Sequence, residues 1–436
     1  MKIRGSRMEA KTKQDKGGVA PFGHAIVIGG SIAGLTVARV LTDHFTQVTI
    51  IERDRLPDAP HFRRGAPQAR HAHTLPLRGQ MILEEQFPGL TNELITNGAV
   101  PINGGSEMAF FIAGGWHELH HQAGLASMTC SRPLLENTIY RRLANHPKVR
   151  IVQGQSVVGL TVDKRVRRVT GVRLRSRNGS PMNEQWLVAD MVIDASGRES
   201  RAPQWLADLG FIPPRETTIS AFPGYATRVY RRPANFAKSW KTLYIRPTPP
   251  TGTRGGILLP IEGDRWLVTL IGMAGDAPPT DEAGFLAFAQ SLPAPQLAEA
   301  IKEAEPLSLP YGYRNTENRV RHYEKLPRYL EGFLVCGDAA YALNPVYAQG
   351  MTAAVMGSQA LAYCLEEQSG RNHLTGLARS FQAKLSRIVA DPWRLAVRED
   401  RRWPITKVTE EVMPVWLQLP SPKPRERSVT TSYGLA

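Results

Sequence analysis

Cysteine is nearly absent from this chain. Its 436 residues include three, Cys130, Cys336 and Cys364, far apart and odd in number. That excludes a disulfide framework and points to a reducing, cytoplasmic compartment. No apolar run reaches the length of a membrane span, so no transmembrane segment is expected. The basic stretch Met1 to Lys16 has no hydrophobic centre and does not read as a secretory leader. His71-x-His73 and the histidines from His117 to His121 lack cysteine or acid partners at ligand spacing, so no metal site is expected. There is no internal repeat and no nucleic-acid module. The formal charge of +15, from 54 basic and 39 acidic side chains, is spread along the chain. A diffuse positive field of that kind attracts phosphorylated cofactors or an acidic carrier rather than nucleic acid. Apolar residues make up 42%, enough for two or three domains or one large interleaved body.

The chain is organised around residues 24 to 53. Ala25 to Ile28 reads as a buried parallel strand. A Gly29-Gly30-Ser31 turn follows, then an amphipathic helix from Ile32 with Val37, Ala38 and Leu41 on one face. Val48 to Ile51 is a second strand, ended by Glu52. Strand, glycine turn, helix, strand and acid, in that order, bind the ADP half of a dinucleotide. The pyrophosphate sits on the helix N-terminus and the acid accepts from ribose hydroxyls. Gly29 permits the tight turn and Gly34 lets helix and strand approach. Ser31 stands at the middle glycine position. It is small enough for the pyrophosphate, and its hydroxyl serves either as a donor to it or as a helix N-cap.

Further along, residues 1 to 22 read as a flexible arm. Arg63 to His73 is too polar for core and too rich in donors for an ordinary loop. Leu77 to Phe87 is helical. Short strands are expected at Met108 to Ile112 and Trp116 to Leu119. Ser131 caps a helix that carries Arg132 in its first turn. Val149 to Val152, Val157 to Val162 and Val169 to Leu174 read as a hairpin, and Leu187 to Ile193 as one buried strand. From Thr217 to Met273 the pattern is antiparallel: Ile219 to Arg231, Thr242 to Arg246, Gly255 to Pro260 and Arg265 to Gly272. Tyr225, Arg228 and Tyr244 fall on these strands. A helical stretch from Asp281 to Ala304 is broken near Pro293 to Pro295. Phe333 to Cys336 returns to buried-strand composition, followed by a long helix opening near Gly350, whose dipole favours an anionic group. The run from Asp391, with Trp393, Trp403 and Trp416, reads as a helix packed on the body. Residues 421 to 436 read as disordered.

Three stretches stand in fixed order: Gly29 to Gly34; Asp194-Ala195-Ser196-Gly197-Arg198-Glu199-Ser200; and Gly337-Asp338-Ala339-Ala340 with Asn344-Pro345 to Gly350-Met351. Together they resemble the signatures of the p-hydroxybenzoate-hydroxylase-like FAD-dependent monooxygenases, over roughly residues 24 to 400. The branch most similar contains bacterial squalene-epoxidase-like and polyether-epoxidase-like enzymes. The resemblance implies an α/β fold: a Rossmann-type, glutathione-reductase-like FAD-binding domain (23–205 and 323–395) interleaved with an antiparallel-sheet substrate domain (206–322), followed by a C-terminal extension (396–436).

Residue roles follow from the resemblance alone. Gly29, Gly30, Ser31, Ala33 and Gly34 would cradle the FAD pyrophosphate. Glu52 would bind the adenosine ribose, with Arg53 beside it. Arg132 would reach the phosphates or ribityl chain, and Asp338 the ribityl hydroxyls. Gly350 and Met351 would face the flavin pyrimidine edge, and Pro345 would border the ring and the substrate cavity. The implied activity is insertion of one oxygen atom from O2 into an electron-rich small molecule through a flavin C4a-hydroperoxide, giving a hydroxylated or epoxidised product, in secondary metabolism. Ser196 replaces the usual aspartate of the middle signature. The electron supply is therefore NADPH or NADH used directly, or a separate flavin reductase. Ala348 replaces a frequent glycine. Rival readings are a geranylgeranyl-reductase-like enzyme and a non-catalytic FAD-binding partner in a biosynthetic complex. A halogenase of the same fold would carry a lysine after the first βαβ unit and a Trp-x-Trp-x-Ile-Pro motif. Neither occurs here.

Overall fold

The computed structural model describes residues 22–409, apart from 105, 118–125, 177–183, 315 and 370–372. The N-terminal arm up to residue 21, Leu119, Trp416 and residues 421–436 lie outside the described residues.

Five parallel strands form the central sheet, in the order Phe333–Val335, Met191–Asp194, Phe22–Ile28, Phe45–Glu52, Val149–Gln153. Ala25, Ile26 and Val27 are wholly buried because both sheet faces are covered. The helix Ile32–Leu41 crosses between the first two strands in register with Val27 opposite Ile50. The long helices Gly350–Ser369 and Leu377–Asp400 complete the same core.

A seven-stranded sheet forms the second layer. Its order is Tyr311–Tyr313, Gly224–Arg231, Arg265–Gly272, Arg254–Ile261, Thr242–Ile245, Met108–Ile112, Gly115–His117. The strand at Met108 pairs parallel to Thr242–Ile245, so two strands of this sheet come from before residue 206. Behind it, Glu282–Gln290 and Gln296–Lys302 bury Phe285 and Leu297 against Trp266 and Leu270. The helical stretch is broken at the expected prolines, and Asp281 caps the first helix by accepting from Gly284 N.

Three strand expectations change in space. Val149–Gln153 belongs to the parallel sheet, whereas Gln155–Asp163 and Arg168–Ser176 pair with each other and with Glu184–Val188. Gly154, at φ +69°, makes the break between the two sheets. The run from Leu187 to Ile193 is two strands split at Ala189-Asp190, with Val188 exposed on one side of the break and Met191 wholly buried on the other. The run from Ile219 also divides. Glu216–Ser220 pairs with Asn318–Arg321 and with Lys407–Thr409, in a separate sheet from Gly224–Arg231. The last pairing holds residues 407–409 against Glu216–Ser220, and Trp393 and Trp403 are buried.

Candidate functional site

The loop after the first strand, the loop after Met191–Asp194 and the loop after Phe333–Val335 all leave the same edge of the central sheet, because those strands are parallel neighbours. All three signatures therefore converge on one cavity of about 1210 Å³. Of the residues singled out from the sequence, Gly29, Gly30, Ser31, Ala33, Glu52, Arg53, Arg132, Asp338, Pro345, Gly350 and Met351 line it. Gly34 does not. A Cβ there would lie 1.8 Å from Gly29 O, so Gly34 sets the distance between helix and turn. Gly29 itself sits at φ +105°, a conformation glycine adopts without strain.

Ser31 occupies the N-cap position but makes no capping bond. Its Oγ donates to Glu136 Oε1 (2.5 Å) and accepts from Arg132 Nη2 (2.9 Å). Glu52 is 4% exposed. Its Oε2 accepts from Gly30 N (2.8 Å) and its Oε1 from Asp54 N (3.0 Å), which pins the carboxylate under the turn. Arg63 was noticed only as part of a donor-rich run, and it is the hub of this corner. Its Nη1 lies 3.0 Å from Glu52 Oε2, and its Nη2 lies 3.6 Å from Glu136 Oε2 and 3.3 Å from Gly30 O. Burial opposes the Arg63 charge, but Glu52, Glu136 and Asp54 raise its pKa above the ordinary value. Burial likewise pushes Glu136 up, and Arg132 and Arg63 more than reverse it, leaving the carboxyl low. Glu136 was missed, although its position four residues after Arg132 on one helix was a readable signal.

The rest of this end of the pocket also fits a bound group. No side chain caps the helix Ile32–Leu41, and neither it nor Gly350–Ser369 carries an acid in its first turn, so positive ends face the cavity. A Cβ on Gly350 or Gly197 would meet nothing within 4 Å. Ser196 Oγ is buried with no partner among the described residues. An open cradle, two helix N-termini and an orphaned hydroxyl suit a phosphate-bearing, polyhydroxylated cofactor. Asp338 lies 4.0 Å from Arg198 and is the more exposed member of that pair.

Ala348 sits at φ +55°, which explains why glycine is frequent at this position in the family it resembles. Ala348→Gly is expected to relieve about 1–2 kcal/mol of strain. Added freedom of the unfolded chain returns about 0.4–1 kcal/mol. Melting temperature should rise slightly, and a fall would refute the strain assignment.

The opposite wall is the seven-stranded sheet. Tyr225 and Tyr244 face the cavity, joined by Phe110, Ile257 and Ile271. Arg228 does not. It is buried behind the strand, bonded to Ser308 O (2.8 Å) and paired with Glu282. A buried network that the sequence did not reveal borders the cavity at the end of the helix Leu377–Asp400. Asp400 Oδ1 accepts from Tyr347 Oη (2.6 Å) and Asn344 Nδ2 (3.0 Å), and its Oδ2 accepts from Asn318 Nδ2 (2.7 Å). Tyr225 Oη donates to Asn344 Oδ1 (3.1 Å). The Asn344-Pro345 loop is thereby tied to the last turn of the helix Leu377–Asp400.

Burial pushes Asp400 from 3.8 up to about 6, against the three donors. The unfolded chain ionises it near 3.8 and the folded chain near 6, so folding takes up a proton between those values. The stabilisation is complete below the lower value and is lost as pH rises through the upper one. Unfolding free energy should fall by about 3 kcal/mol across that window. Chemical unfolding at stepped pH measures this, and Asp400→Asn should remove the slope.

Comparison with known proteins agrees with this geometry. A family model described as an FAD binding domain matches residues 24–380. Protein Rv3254 of Mycobacterium tuberculosis is 33% identical over 339 residues, 76% of this chain and 70% of the relative. The p-nitrophenol 4-monooxygenase PnpA of Pseudomonas putida superposes with TM-score 0.63 at 16% identity, over 87% of this chain and 89% of that one. The flavin-dependent brominase Bmp2 does so with TM-score 0.62 at 15%, over 87% and 89%. At those identities the likeness is one of fold. The family match spans all three signatures that meet at the cavity, and on that ground the chain belongs to the FAD-binding domain family of flavoproteins.

Proposed function

We propose that this protein is an FAD-dependent monooxygenase that inserts one oxygen atom from O2 into an electron-rich organic substrate, by hydroxylation or epoxidation, in secondary metabolism and in the cytoplasm. The observation that carries the reading is the continuity of the cavity. One space runs from the glycine cradle to an aromatic and aliphatic wall on the seven-stranded sheet, and it exceeds the roughly 300–1,000 Å³ usual for a single small ligand. It has room for a cofactor at one end and an apolar substrate at the other. FAD when bound would supply the oxygen chemistry. The protein's part is to hold the cofactor, exclude water and orient the substrate. We assign the cradle to Gly29, Gly30, Ser31, Ala33 and Gly34, the ribose end to Glu52 and Arg53, and the phosphate and ribityl contacts to Arg132 and Asp338. Pro345, Gly350 and Met351 take the flavin ring. We assign cofactor binding to 23–205 and 323–395, apart from the two strands within 108–117, and substrate binding to 206–322 together with those two strands. The resemblance to squalene-epoxidase-like and polyether-epoxidase-like enzymes supports an apolar substrate. The absence of any lysine from the described cavity lining favours oxygen insertion over halide oxidation, the activity named for some proteins of this fold.

The test uses FAD-loaded protein without oxygen. NADPH and then NADH are added while flavin absorbance is followed. Bleaching by either, reversed by air, supports a self-sufficient monooxygenase. Reoxidation only after chemical reduction supports supply by a separate reductase, or a reduction that waits for substrate. Failure to hold FAD overturns the reading.

A further inference from the structure

His71 lies in the cavity wall, outside every motif assigned above. It is 7% exposed, and its ring stands 5.4 Å from that of Tyr313 and 6.1 Å from that of Tyr225. Its Nδ1 is 2.7 Å from Thr227 Oγ1, which is 2.7 Å from Thr269 Oγ1, which accepts from Ala72 N at 3.0 Å. Both threonines are buried in adjacent strands of the seven-stranded sheet. The backbone amide can only donate, so it gives the chain a direction. If Thr227 donated to Thr269, the Thr269 proton would have no acceptor among the described residues. The amide proton and both hydroxyl protons are paired when Thr269 donates to Thr227 and Thr227 donates to His71 Nδ1. The ring proton then sits on Nε2, which has no partner among the described residues. Burial, with Arg70 adding to it, holds the imidazole neutral at physiological pH.

We infer that His71 Nε2–H is the hydrogen-bond donor that orients the substrate, through an acceptor oxygen seated beside the rings of Tyr225 and Tyr313. A neutral donor beside aromatic rings recognises a hydroxyl or oxo oxygen without requiring a buried countercharge. His71 is thus a positioning and specificity residue, and this inference rests on the substrate end assigned to the cavity above.

The test is binding to oxidised, FAD-loaded protein without turnover, so it stands whether or not the protein reduces its flavin or consumes oxygen. Naphthol and methylnaphthalene serve as probes of matched shape. The wild type should prefer naphthol on the order of tenfold, the worth of one hydrogen bond. His71→Phe should erase that preference while leaving methylnaphthalene affinity and FAD content unchanged. Preference retained in His71→Phe, or absent in the wild type, overturns the proposal. Should His71→Phe fail to fold, nitrogen NMR of the labelled imidazole decides. The Nε2–H tautomer in wild type and its weakening in Thr227→Val support the relay, and an Nδ1–H tautomer in wild type refutes it.

Discussion

Gly34→Ala is expected to yield protein that retains almost no flavin and unfolds well below the wild-type melting temperature. The added Cβ would stand 1.8 Å from Gly29 O and 2.9 Å from Gly29 C, and both are backbone atoms that no side-chain rotation can move aside. Gly29 cannot retreat either, because a Cβ of its own would already press Ala195 O at 2.6 Å. The helix Ile32–Leu41 must therefore lift off the turn, and it carries Leu35, Val37 and Leu41 out of close packing with the sheet. Overpacking of well-filled sites costs about 1–3 kcal/mol, and a backbone collision lies at or beyond the upper end. The flavin-to-protein absorbance ratio and thermal unfolding measure the two effects. Gly350→Ala is the control. Its Cβ would enter open space, so the apo fold should melt as wild type while flavin affinity falls. Normal stability in Gly34→Ala would mean that the turn tolerates displacement and that the cradle is not set by helix packing.

Arg63→Met is expected to destabilise the fold by about 3–5 kcal/mol, the cost of removing one partner from a buried ion pair. Methionine keeps much of the volume but leaves Glu52 and Asp54 with no cation at the positions Arg63 now fills, and Glu136 with Arg132 alone. The loss should be largest at neutral pH and shrink in acid. Arg63 now helps to hold Glu136 low, and without it that carboxyl protonates more readily. A double-mutant cycle with Glu136→Gln separates the pair from general damage. Coupling of about 1–3 kcal/mol supports a shared network. Additive losses would make Arg63 a packing residue only.

The two residues were unequally visible beforehand. Gly34 could be read from spacing, because a strand, a turn and a helix within about a dozen residues have only one way to pack. Arg63 could not be placed. It lies in an irregular loop, and its partners are 11 residues before it at Glu52 and 73 after it at Glu136. Asp400 is the extreme case. It joins Asn318 and Asn344 over separations of 82 and 56 residues, and nothing local marks it as buried.

Composition and local order by themselves determined the first strand-turn-helix unit of the parallel sheet and the helices that flank it. A buried strand followed by a glycine turn and a helix is specified by neighbours in the chain, and so are the capped helix at Ser131 and the long helix from Gly350. Tertiary structure alone decided which strands share a sheet, that Met108–Ile112 crosses to the seven-stranded sheet, and that Val149–Gln153 leaves its hairpin for the parallel sheet. It also decided the direction of the Ala72–Thr269–Thr227–His71 relay. Period and propensity specify which residues want burial or extension. Sheet partners and proton direction depend on which buried donors and acceptors meet after long loops close, and a linear pattern carries no record of that meeting.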